Sequence, residues 1–325
     1  RLDELRACLV AEGGTVGALD ALDRVLGFAA LRHTPLLHWP VQALTLWDIH
    51  VWWALEGWQR QHGPRVRAWL DALAEVEALA ALAGLAHDHP DWVWPTVEPG
   101  ADRLVADGLT HALLPPSRAV ANDIVVGPPG RLLLVTGSNM SGKSTLLRAI
   151  GLGAVLAQAG APVPATRWRM PPLDPVTSMR LQDSLEDGVS FFMASLARLT
   201  LVIERARAST LQAGRPATLF LLDELLSGTN TAEREVAVRA VVGHLAGCRA
   251  IGALTSHDLG LADAPELRAH AECVHFSETI DAQGAVPAVR FDYRLRPGVA
   301  TSRNALALMR AVGLGDLVSR VGVRP

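Results

Sequence analysis

The stretch Gly137-Ser-Asn-Met-Ser-Gly-Lys-Ser-Thr145 sets two glycines, one lysine and two hydroxyl residues at the spacing G-x-x-x-x-G-K-S. Glycines at that spacing let successive backbone N–H groups turn inward around phosphate oxygens, and a helix starting behind them adds the positive end of its dipole. Gly137, Ser138, Asn139, Met140, Ser141, Gly142, Lys143, Ser144 and Thr145 are therefore the candidate nucleotide-binding residues. Lys143 is expected to reach the β- and γ-phosphates of a bound nucleotide, and the Ser144 hydroxyl to hold Mg²⁺. Thirty positions carry Lys or Arg, and Lys143 is the one lysine. An ammonium is a compact point charge on a flexible stem, whereas a guanidinium presents a wide planar fork, so this site has a reason not to follow the arginine bias of the rest of the chain.

Two carboxylates follow a second apolar run, Leu219-Phe-Leu-Leu222, as Asp223-Glu224. A buried strand that ends in paired acids supplies what phosphoryl transfer to water needs: Asp223 for the Mg²⁺ shell, and Glu224 to orient and polarise the attacking water. His257 ends the next apolar run, in Leu254-Thr-Ser-His257, where a γ-phosphate sensor is wanted. The alternatives are a glycine-rich turn, a solvated loop start and a surface histidine. They account for each feature singly but not for the three in this order.

Elements that could position these groups are legible on both sides. The runs Asp123–Val126, Leu132–Val135, Thr218–Leu222 and Ala250–Leu254 read as short strands alternating with helical stretches, which predicts a mostly parallel α/β sheet with crossover helices. Helices are expected over Thr145–Ala159, directly after the phosphate loop, and from Phe192 through Leu196, Leu199, Ile203 and Ala206. The first hundred residues look helical instead. Val16, Leu19, Leu22, Val25, Leu26 and Ala29 repeat at three or four residues, as do Val66, Trp69, Leu73, Val76, Ala80 and Ala83. Breaks are predicted at Gly13-Gly14, His38-Trp-Pro40, Gly63-Pro64 and 87–99. Eight of the nine tryptophans precede residue 100, and a Trp-rich helical face of this kind reads as core or packing seam. The expected division is a helical domain over 1–100 and an α/β domain carrying the phosphate loop over 101–325.

Bulk properties narrow the field. A formal charge of −3 and a pI near 6.4 argue against a module that coats nucleic acid through a basic face, while leaving room for a local basic groove. Cys8, Cys248 and Cys273 are odd in number and lack metal-ligand spacing, which points to reduced thiols in a cytoplasmic setting. The longest uncharged run, Ala149–Thr166, falls short of the ~20 apolar residues a membrane span needs, and reads as a buried helix followed by a turn. The first residue is Arg1, with no signal-peptide pattern after it, so a C-terminal part of a longer protein is expected.

The ordered motifs together resemble the ATPase domain of the MutS family, a branch of the ABC-type P-loop ATPases. The residues that carry the resemblance are Asn122-Asp123, Thr136–Thr145, Val163-Pro-Ala165, Asp183–Met193, Asp223–Thr231, Ser256-His257, and Tyr293 with Gly298, Ala300 and Ser302. The resemblance implies a P-loop NTPase fold with a parallel sheet, ATP and Mg²⁺ as cofactors, Asn122 as a further nucleotide-site residue, and a homodimer with composite sites. Ser190 of the signature would then complete the ATP site of the partner subunit, with ATP binding closing a clamp and hydrolysis reopening it. It implies DNA as the partner, in mismatch repair or a related transaction. The alternative is an ATP-driven switch acting on a protein or a membrane. Residues 1–100 resemble the lever region next to that ATPase.

Several positions depart from the family pattern. Ser138 and Ser141 replace Pro and Gly, Phe191 replaces Thr, and Ser227 replaces Arg. Ala119 stands where the family has an adenine-stacking aromatic. Phe276-Ser-Glu278 copies the Phe-x-Glu of a mismatch reader, but it lies within the ATPase half and cannot serve as one. These departures mark a diverged branch.

Overall fold

The structure is a computed structural model that describes residues 1–10, 14–179, 191–225, 231–281 and 288–300. The chain divides into two compact units, Arg1–Asp88 and His89–Pro325.

The described elements of the first unit are helices: α1 (Leu2–Val10), α2 (Thr15–Ala29), α3 (Pro35–Thr45) and α4 (Trp47–Asp88), with a 3-10 turn at Ala30–His33. Glycine sets the start of α2, whose N-cap is Gly14. Two predicted breaks do not occur. Pro40 lies inside α3 and Pro64 inside α4, which runs on for 42 residues. An interior proline removes one i→i−4 hydrogen bond and crowds the preceding turn. At Pro64 the crowding of the preceding residue is relieved because Gly63 has no Cβ to meet the ring. The long helix is further held by α1 and α2, both of which pack on it.

Half of the tryptophans in this unit pack as expected and half do not. Trp69 is buried, and the indole N–H groups of Trp58 and Trp47 donate to Ala18 O at 2.6 Å and Phe28 O at 3.1 Å. Trp39, Trp52 and Trp53 are exposed, as are Val16, Leu19, Leu26 and Leu73 of the predicted apolar stripes. The buried line of α2 runs instead through Ala18, where close approach to Trp58 needs a small side chain.

In the second unit the alternation of side chains across each strand decides the layers. Its elements are β1 (Thr96–Val97), β2 (Leu104–Leu109), β3 (Asn122–Val126), β4 (Leu132–Thr136), α5 (Lys143–Ala159), β5 (Arg167–Met170), β6 (Leu173–Ser178), α6 (Phe191–Leu211), β7 (Ala217–Asp223), α7 (Thr231–Ala246), β8 (Ala250–Ser256), α8 (Pro265–His270), β9 (Ala271–Asp281) and β10 (Ala288–Pro297). The main sheet has the order β10-β9-β4-β8-β7-β6, parallel except for β10. Leu133, Val135, Leu219, Leu221, Ile251 and Ala253 face one core with α5 and the smaller sheet β1-β5-β2-β3. Leu132, Leu134, Phe220, Leu222, Ala250 and Leu254 face the other, with α6, α7 and α8. Both faces are therefore covered, which is why β4, β7 and β8 read as unbroken apolar runs.

Central strands approach closely at one point. Gly252 on β8 pairs with Phe220 on β7, and a methyl group at Gly252 would run into the carbonyl and ring of Phe220. Gly252→Ala is expected to destabilise the protein by ~2–3 kcal/mol through overpacking. For a unit of this size that lowers Tm by roughly 4–12 °C. Calorimetry checks it, and an unchanged Tm would contradict the packing described.

Among the described residues no helix is long and apolar enough to cross a membrane. Ala149–Thr166 is the end of α5 followed by a turn at Gly160, as expected.

Candidate active site

Strands β4, β7 and β8 are parallel and adjacent in the sheet, so their C-terminal ends lie side by side. The phosphate loop leaves β4, Asp223 ends β7, and Thr255-Ser-His257 closes β8. Open α/β sheets place ligands at this edge. A cavity of about 730 Å³ opens there, lined by residues of the loop, α5, β3, β7 and β10.

The loop is shaped by local backbone requirements. Gly142 has φ +106 and caps α5, and a Cβ there would approach the Tyr293 ring at 3.3 Å. Met140 also sits in the left-handed region, at φ +67, with its side chain turned out to solvent. Asn139, Met140, Gly142, Lys143, Ser144 and Thr145 line the cavity. Gly137, Ser138 and Ser141 stand behind it. The Lys143 ammonium donates to Gly137 O at 2.9 Å and to Ser138 O at 2.8 Å. The Ser138 hydroxyl donates to the Glu278 carboxylate on β9. Ser141 Oγ is buried with no hydrogen-bond partner among the described residues.

Carboxylates face the lysine from β7. Glu224 Oε1 lies 3.7 Å from Lys143 Nζ and 3.4 Å from His257 Nδ1. Burial lowers the Lys143 pKa from its ordinary value, and the charges of Glu224 and Asp223 oppose that shift. His257 does not line the cavity and reaches it only through the Glu224 carboxylate. Asp223, Glu224 and Ser144 all line the cavity, and this donor set fits Mg²⁺, which takes one or two protein oxygens and completes its shell with phosphates and water. The buried Ser141 hydroxyl, unpartnered among the described residues, and the Gly142 position, where a Cβ would crowd the Tyr293 ring, fit a cradle that closes on an anion.

Asn122 lines the cavity but its amide is engaged with backbone. Its Nδ2 donates to Val120 O at 3.2 Å and Tyr293 O at 3.0 Å, and its Oδ1 accepts from Leu295 N at 2.6 Å. It thereby clamps a bulge in β10 whose centre, Tyr293, has φ +54. Tyr293, Phe276, His111, Arg118 and Arg148 also line the cavity, which no local sequence signal indicates. Burial and the Arg148 charge lower the His111 pKa. Thr255 was also missed: its hydroxyl donates to Asp223 Oδ1 at 2.7 Å and accepts from the Glu224 N–H at 3.0 Å. The available signal was a hydroxyl residue interrupting an apolar strand at the height of Asp223. Ser190, Ser302 and most of the Asp183–Met193 and Asp223–Thr231 motifs lie outside the described residues.

Several known proteins are similar to this chain. The family model described as MutS domain V matches residues 133–321, more than half of the chain. The chain is 34% identical over 260 residues to "DNA mismatch repair protein MutS 2" of Halobacterium salinarum, covering 78% of this chain and 28% of that protein. It is 32% identical over 262 residues to "DNA mismatch repair protein MutS" of Natronomonas pharaonis, with the same two coverages. A protein of that name from Anaeromyxobacter dehalogenans is 36% identical over 213 residues, 60% of this chain and 23% of its own length. The chain thus spans about a quarter of the length of the curated relatives it matches. With the phosphate loop, the paired acids and the terminal histidine gathered at one sheet edge, and with domain V matched across them, the chain belongs to the MutS family.

Proposed function

We propose that this chain is the Mg²⁺-dependent ATPase of a MutS-type protein that acts on DNA, in mismatch repair or a related transaction. The observation that carries the proposal is the placement of Lys143 and Glu224 3.7 Å apart at the wall of a cavity that Asp223 and Ser144 also line. Bound Mg²⁺ supplies charge neutralisation on the phosphate oxygens. Ser144 and Asp223 hold that ion, and Lys143 draws charge from the γ-phosphate. Glu224 orients the attacking water and accepts its proton, with His257 fixing the carboxylate from the far side. Tyr293, held by Asn122, offers the base an aromatic wall in place of the one lost at Ala119.

The family names support DNA as the substrate, and the family resemblance supports a homodimer in which Ser190 completes the partner's site. In this proposal residues 1–100 form the lever region and residues 101–325 the ATPase domain. The test is a mobility shift of the full-length protein on homoduplex, mismatched and branched DNA, with and without ATP. ATP-dependent retention of at least one duplex is expected. No shift on any of them, from a protein that hydrolyses ATP, would remove DNA from the proposal and leave the ATPase.

A further inference from the structure

Thr255 makes two hydrogen bonds with one hydroxyl, and each goes to a different working carboxylate residue. The side chain is buried, and Oγ1 donates to Asp223 Oδ1 at 2.7 Å while accepting from the Glu224 N–H at 3.0 Å. A hydroxyl has one proton, and a backbone N–H can only donate. The direction of both bonds is therefore settled: the hydroxyl proton points at Asp223 and cannot turn toward Glu224. Among the described residues Asp223 Oδ2 accepts no hydrogen bond.

Backbone geometry gives the second bond its purpose. Asp223 is the last residue of β7 paired to β8, opposite Thr255. Glu224 is the first residue beyond the ladder and adopts φ +49, the left-handed region that a non-glycine residue enters only when its surroundings hold it there. The N–H that the ladder no longer pairs is taken by the Thr255 hydroxyl. The turn so held brings the Glu224 carboxylate back to 3.7 Å from Lys143 and 3.4 Å from His257.

We infer that Thr255 is a positioning residue for ATP hydrolysis, its single hydroxyl orienting the metal-holding Asp223 and the water-orienting Glu224 together. The inference rests on the ATPase proposal above. Loss of the hydroxyl leaves both carboxylates in place but lets both move, so turnover suffers while nucleotide affinity, set by the phosphate loop, does not.

The test compares Thr255→Val, Thr255→Ala and Thr255→Ser in the full-length protein, measuring kcat and KM for ATP, Kd for a fluorescent ATP analogue, and Tm. Rates are normalised to titrated nucleotide sites, so that partial unfolding does not count as lost turnover. Thr255→Val is expected to lose ~10²-fold in kcat, the size of effect that a misplacement of about 1 Å produces, with KM and Kd within about threefold of wild type. Thr255→Ala should behave the same way. Thr255→Ser restores the hydroxyl and should recover kcat to within about threefold of wild type. A Thr255→Val enzyme within twofold of the wild-type kcat overturns the inference, and so does a Thr255→Ser enzyme as slow as Thr255→Val. Loss of nucleotide binding in both Val and Ala variants overturns it as well, since Thr255 would then be a packing residue. A wild-type protein that binds ATP without turning it over refutes the ATPase proposal itself, an outcome read before any variant is made.

Discussion

Replacing Lys143 with alanine is expected to weaken ATP binding at least ~100-fold. Hydrogen bonds to charged groups contribute ~1.5–3 kcal/mol each, and two of them from one ammonium to phosphate oxygens account for a loss of that size. The more discriminating substitution is Lys143→Arg, which keeps the charge. The ammonium sits almost fully buried, donating to the carbonyls of Gly137 and Ser138, with Glu224 3.7 Å beyond. A guanidinium is wider and holds its N–H groups in one plane, so in the same space it would push its planar fork into the cavity where phosphate must enter. Binding is therefore expected to weaken at least ~10-fold in Lys143→Arg, a loss of about 1.4 kcal/mol or more. Titration calorimetry with ATP and Mg²⁺ decides it. An arginine variant that binds as tightly as wild type would mean that the lone lysine owes nothing to the shape of the cradle. The other positions that carry Lys or Arg all carry arginine, so this experiment asks why one position holds lysine.

Much of the sheet and of the phosphate loop could be read from sequence because both are local signals. β4, β7 and β8 are apolar runs buried on both faces, and the loop motif carries its own strand and helix around it. Sequence reasoning is silent where the deciding partner is distant. Asn122 lines the cavity, and its amide also bonds the backbone of Tyr293 and Leu295, about 170 positions away, a clamp that no local pattern announces. Thr255 became visible only once β7 and β8 were set in register. Pro40 and Pro64 predict breaks because proline is a strong local punctuator, yet each lies inside a helix, and α4 continues past Pro64 with α1 and α2 packed on it. Three of the exposed apolar side chains in the first unit, Trp39, Trp52 and Trp53, show the same limit. Helical spacing identifies an apolar stripe without saying which part of it finds a neighbour.

Glu224→Gln separates binding from chemistry. The substitution preserves shape and leaves Lys143, Ser144 and Asp223 as they are, so ATP affinity should stay within about threefold of wild type, a change of about 0.7 kcal/mol. A carboxamide cannot accept the proton of the attacking water, and general-base catalysis is worth ~10²–10⁴-fold, so kcat is expected to fall into that range. The neighbours sharpen the expectation. Glu224 Oε1 stands between Lys143 Nζ and His257 Nδ1, and an amide in its place removes the negative charge that opposes the effect of burial on Lys143. If hydrolysis is what reopens the ATPase dimer, the variant with ATP and Mg²⁺ should elute at twice the protomer mass under light scattering and stay there, while wild type returns to its nucleotide-free state as ATP is consumed. A Glu224→Gln protein that turns over at the wild-type rate would place the general base elsewhere. One that loses turnover without accumulating a dimer would keep the chemistry assigned to Glu224 and remove the clamp cycle from it.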